Sequence, residues 1–157
     1  MQLSRRTDPM HLVMARLGIA ELPELIQHPT INEAIRVTIY YHDNRAPASV
    51  ATLRREQNAP CQLDIVYDRV PRTTQLTFTI PTERYLNLLV ALRKARFDTL
   101  DDESDLPLTG ADLWLVERLA GTFHHDIVLC PTSARGHLRD IVLALRDHLP
   151  EAVREGA

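Results

Sequence analysis

L-D-I-V-Y-D-R at residues 63–69 and D-L-W-L-V-E-R at residues 112–118 share one register, and each opens the same series of elements. After the first come a short loop, L-T-F-T-I-P-T at residues 76–82, and a helical stretch ending V-A-L-R at residues 90–93. After the second come a short loop, D-I-V-L-C-P-T at residues 126–132, and a helical stretch ending L-A-L-R at residues 143–146. Strand, loop, strand, Pro-Thr and amphipathic helix therefore occur twice, the mark of a repeated supersecondary unit. Strands joined by short loops pair as hairpins, and each helix must bury its apolar stripe against the nearest sheet face. The expected fold is α+β: one antiparallel sheet of about five strands built from a ββα-ββα repeat, with both helices on one face.

Working outward, residues 35–41 are β-branched and aromatic and read as a further strand. Ahead of it, Asp8-Pro9 suits a helix start, and Met10, Val13, Met14 and Leu17 fall on one face before Gly18. Leu22 to Gln27 reads as another short helical turn. These elements form an N-terminal helical arm, residues 1–34, on a single domain at 35–150, followed by a polar tail at 151–157. The connection at residues 42–60 reads as a loop with a weak helix at 47–57, since it holds Ala48 and Ala51 but few large apolar side chains. Thr82 is placed to cap the helix after it, and the last helix is expected from about Ala134 to Leu149.

Aligning the two units sets the facing of the strands. Matching Asp68 with Glu117, and Pro81 with Pro131, points Ile65, Tyr67, Trp114, Val116, Phe78, Ile80, Val128 and Cys130 at the helices. That leaves Leu113, Leu115, Ile127 and Leu129 as a second apolar stripe on the opposite face. A hairpin apolar on both faces needs cover on both. The helix of Met10 to Leu17 supplies a matching stripe; a homodimer through the same four residues is the alternative.

Of 157 residues, 45% are hydrophobic and 25% charged, with a net charge of −3. Those values describe an ordinary globular domain and argue against a nucleic-acid partner. No stretch is long and apolar enough for a membrane span, and no signal peptide opens the chain. Cys61 and Cys130 have neither metal spacing nor the numbers of a disulfide framework, and they read as buried thiols of a cytoplasmic protein.

The chemistry-bearing residues are sparse. His124 and Asp126 fall on one strand face, but two ligands do not make a metal site, and His125 points the other way. The acidic run of Asp98, Asp101, Asp102, Glu103 and Asp105 lacks the glycine and terminal Glu of a helix-loop-helix calcium site and reads as a solvated loop. Nucleophile-elbow and phosphate-loop motifs are absent. The sequence therefore predicts no catalytic residue, no metal and no cofactor. A small enzyme using Cys130, or His124 with Asp126, is the competing class; a structural homo-oligomer is a third.

Residues 59–150 are similar to the emfourin-type proteins, small bacterial proteins whose founding member inhibits a thermolysin-like metalloprotease. The similarity is carried by R-Y-L-N-L-L-V-A-L-R-K-A-R-F-D-T-L at 84–100, A-D-L-W-L-V-E-R at 111–118, H-H-D-I-V-L-C-P at 124–131 and H-L-R-D-I-V-L-A-L at 137–145. Arg96-Phe97 stands where the family pattern has two aromatics, and residues 1–58 have no counterpart in it. The resemblance implies a non-enzymatic module that binds another protein, a protease inhibitor or regulator. The expected recognition surface is the two hairpin tips, where Val70, Pro71, Arg72, Leu119 and Phe123 mix apolar side chains with arginine.

Overall fold

The computed structural model describes residues 8–27, 30–69, 72–104, 106–107 and 110–154. Its frame is an antiparallel sheet of six strands: β1 (Ile31–Tyr40), β2 (Ser49–Glu56), β3 (Cys61–Tyr67), β4 (Thr74–Ile80), β5 (Leu113–Ala120) and β6 (Phe123–Leu129). Across the sheet they run β4-β3-β2-β1-β5-β6. The helices are α1 (Asp8–Arg16), α2 (Thr82–Lys94), α3 (His137–His148) and α4 (Pro150–Val153), with short 3₁₀ turns at Leu22–Gln27 and Phe97–Thr99. The α+β class holds, with one strand more than the five expected.

The added strand is β2, where a weak helix was expected. Serine, alanine and threonine suit it because it lies between β1 and β3 and is buried on both faces over residues 49–53. Such a strand needs no alternation, and its pairing on both sides outweighs the alanines' helical preference. β1 starts at Ile31, across the boundary drawn at residue 34. At the other end, α4 occupies part of the expected polar tail, burying Ala152 in the core and pairing Glu151 with Arg84 at 2.8 Å.

One face of the sheet carries the main core. Ile35, Val37 and Ile39 of β1 meet Tyr85, Leu88 and Leu92 of α2 and Ile141, Val142 and Leu145 of α3. Each such side chain contributes roughly 1.5–3 kcal/mol on burial, before conformational entropy is counted. Pro81 rather than Thr82 precedes α2, with no side-chain cap, and α3 starts at His137 after Gly136, later than expected.

α1 packs on the opposite face, where Met10, Val13 and Met14 cover Val50, Leu113, Leu115 and Val128. The expected stripe is corrected here. Ile127 and Leu129 lie in the main core beside Trp114 and Val116, and Val128 takes their place under α1. The cause is the two-residue turn Gly121-Thr122, with Gly121 at φ 58°, which pairs Ala120 with Phe123. A two-residue turn fixes the register, so Trp114 faces Leu129 and Leu115 faces Val128. Aligning Pro81 with Pro131 misplaced β6 by one residue, which turns every side chain over. Leu113, Leu115, Ile127 and Leu129 are all buried within the chain and do not share a face, so they offer no dimer surface in this fold.

Candidate functional site

The two hairpin tips do not form one surface. Tyr67 and Thr74, at the root of the first tip, align through Ser49 and Ile39 with Trp114. Ala120 and Phe123, at the root of the second, align with Glu33 and Arg55 at the other end of the sheet. Val70 and Pro71 lie outside the described residues, and Arg72 is exposed. Leu119 is 2% exposed and packs with Leu22 and Ala34 beneath the first 3₁₀ turn, so it is a core residue and not a contact for a partner. Its alternation with Glu117 and Leu115 puts it on the α1 side of β5. Phe123 is 42% exposed, stacked on His125 with the Arg118 guanidinium over its ring.

The contrast that matters is between the two sheet edges. An edge strand presents unpaired N–H and C=O groups, and proteins block such edges with charge, proline, bulges or a covering loop. β6 is covered. The acidic loop lies along it: the Val128 N–H donates to Asp102 Oδ1 at 3.0 Å, and the Glu103 N–H donates to the Val128 carbonyl at 3.0 Å. His125 Nε2 lies 2.8 Å from the Leu100 carbonyl oxygen, Asp98 pairs with Arg118, and Ser133 Oγ donates to Glu103. Asp102 and Glu103 of the acidic run thus cover the edge, a role that their composition does not announce; Asp105 lies outside the described residues.

β4 is not covered in this way. Its sequence T-Q-L-T-F-T-I has no charge and no proline, and it pairs with β3 without a register shift. Gln75, Leu76, Thr77 and Thr79 are exposed, while Ile80 is buried and Phe78 rests against the core. Among the described residues, no backbone group of residues 74–80 bonds to anything beyond the β3 ladder. The nearest charges sit one and two strands inward, on β3 and β2, where Arg54 Nη2 meets Asp64 Oδ2 at 3.0 Å and Thr77 Oγ1 donates to Asp64 Oδ1.

On the α1 face, a polar stripe separates the α1 cluster from the Leu119 cluster. Arg36, Glu117 and Asp126 stand side by side on β1, β5 and β6. Arg36 is buried, and its Nε donates to Thr52 Oγ1 at 2.9 Å and its Nη1 to the Ala20 carbonyl at 2.7 Å. Burial lowers its pKa, while the carboxylates of Glu117 and Glu21 act against that. His124 Nε2 lies 3.3 Å from Glu117 Oε1, and that bond, with the nearby charges, raises the His124 pKa. Sequence reasoning paired His124 with Asp126 and missed Glu117. The signal was available, since the Gly121-Thr122 turn sets Glu117 directly across from Asp126.

Two further sites complete the polar inventory. Asp112, just ahead of β5, accepts from the His42 backbone N–H at 3.2 Å and from Arg45, which ties the β1–β2 connection to β5. Cys61 and Cys130 are free and buried. Burial pushes the Cys61 thiol up; at Cys130 burial acts the same way but is outweighed by hydrogen bonds from Thr132 and Ser133, which bring its pKa down. Among the described residues, no histidine bonds to Cys130, whose Sγ lies 3.3 Å from Thr132 Oγ1.

A scan for family models finds none that matches this chain, and no curated protein matches it. Among the described residues, no helix is long and apolar enough to cross a membrane.

Proposed function

We propose that the chain is a non-enzymatic protein-binding module that takes an extended segment of another protein as a seventh strand along β4. The observation that carries this reading is the difference between the edges: β6 is capped by its own loop, whereas β4 is uncharged, regular and, among the described residues, open. Strand addition draws affinity from main-chain hydrogen bonds and selectivity from alternate side chains. Leu76 and Phe78 would supply the apolar contacts, and Gln75, Thr77 and Thr79 the polar ones. In this reading the two ββα units, β3-β4-α2 and β5-β6-α3, are copies of one repeat, the second closed off by the acidic loop. The emfourin-type resemblance supports a protease as the partner class, with inhibition or regulation as the outcome. Two buried free thiols support a reducing, cytoplasmic setting. The ion pairs that engage Arg16, Arg45, Arg54, Arg84 and Arg118 support a partner other than nucleic acid.

Selection from a displayed library of heptapeptides tests this reading. It predicts enrichment of uncharged, β-branched sequences whose binding is lost in the Gln75→Lys, Thr79→Lys double variant, because charge on an edge strand blocks pairing. Peptides that bind the variant and the parent equally, or no enrichment at all, would refute it. If the parent alone sediments as a dimer that the variant abolishes, a second copy occupies the edge instead. Titration against a thermolysin-like metalloprotease checks the partner class.

A further inference from the structure

We propose that Glu117, His124 and Asp126 form a binding site for a divalent transition-metal ion of the Zn²⁺ type. The three side chains project from one face of the β5–β6 hairpin: His124 and Asp126 alternate along β6, and Glu117 is the cross-strand partner of Asp126. Each can turn one donor atom to a common point, and these donors lie within 4.8 Å of one another. Donors bound about 2.1 Å from one ion lie up to about 4.2 Å apart, so small side-chain rotations suffice to close the set around it.

The second observation is Glu117 itself. It is 1% exposed, and its Oε2 is buried with no hydrogen-bond partner among the described residues. A buried carboxylate oxygen without a partner is costly and calls for a cation. Arg36 stands opposite Glu117 on β1, but its guanidinium donates to Thr52, Ala20 and Met14 rather than to that oxygen. A divalent ion would supply the missing contact to that oxygen.

The donor set names the class of ion. One imidazole and two carboxylates suit first-row divalent ions, whereas Ca²⁺ and Mg²⁺ prefer oxygen alone. Three protein ligands leave at least one coordination position for water, on the side where His124 is 30% exposed. The other acidic and histidine cluster, at His42, Asp43 and Asp112, is not comparable, because the Arg45 guanidinium already occupies it.

Calorimetric titration of the full chain with Zn²⁺ tests the site. The proposal predicts one ion per chain, with affinity reduced at least about tenfold in Glu117→Gln and in His124→Ala, since even outer-shell changes cost about 10–100-fold. His42→Ala should leave binding as it is. The Co²⁺-loaded protein should absorb without a thiolate charge-transfer band. His124 is partly exposed, so its alanine variant decides the matter should Glu117→Gln fail to fold. No uptake at micromolar Zn²⁺, undiminished binding in His124→Ala, or a thiolate band would overturn the site.

Discussion

Asp112→Asn is the substitution whose effect is most closely bounded. The Asp112 carboxylate is 11% exposed and holds the chain after β1 against the start of β5 through Arg45 and His42. Hydrogen bonds from Arg45, joined by those from His42, lower its pKa from 3.8 to about 2. At ~1.4 kcal/mol per pH unit that drop corresponds to roughly 2.5 kcal/mol. Arg45 and His42 are 40% and 37% exposed, and solvent screening brings the expected value to about 1 kcal/mol. The sign follows from linkage. A carboxyl whose pKa is depressed by folding contributes fully above its unfolded value and loses that contribution as pH falls through the folded one. Urea denaturation should therefore show Asp112→Asn less stable than the parent by about 1 kcal/mol at pH 7, with unchanged slope. The gap should hold to about pH 4 and close between there and about pH 2. A gap of the same size at pH 2 would show that the loss is one of shape and not of charge; no gap at pH 7 would refute the ion-pair account.

Other substitutions separate core from surface. Leu119→Ser should cost about 3 kcal/mol or more in thermal or urea unfolding, as expected for truncating a buried leucine, whereas Phe123→Ser should cost under about 1 kcal/mol. Deleting residues 1–20 should expose Leu113, Leu115 and Val128 and produce dye binding or self-association; a truncated chain as stable and monomeric as the parent would mean that α1 covers nothing. Native-state reaction with a disulfide reagent should be slow at both cysteines. Rapid labelling of Cys130 in the folded protein would contradict its burial.

Much of this frame is legible in the sequence, and the failures have physical causes. The hairpins, the helices after them and the placing of α1 over Leu113 and Leu115 follow from apolar periodicity, which reports burial on one face at a time. β2 is buried on both faces and carries small and β-branched residues, so periodicity is silent there. The phase of β6 depends on turn length, which Gly121-Thr122 encodes, whereas matching the prolines of the two units does not. Leu119 looked like a tip residue because it lies next to the turn, yet its alternation with Leu115 and Glu117 already directs it inward. The roles of Asp102 and Glu103 could not be read, since an acidic loop and an edge cover have the same composition. Glu117 passes in sequence for an ordinary surface charge, and only the cross-strand register brings it to His124 and Asp126.

Hydrogen exchange along β4, measured with and without a peptide recovered from the display selection, addresses the proposed binding edge most directly. Strand addition predicts that slowed amides fall on alternate residues of Thr74–Ile80, those whose N–H groups point away from β3, with β6 unchanged. Slowing at Phe123 and Arg118, with β4 exchanging as in the free chain, would place recognition at the far hairpin tip and contradict the account.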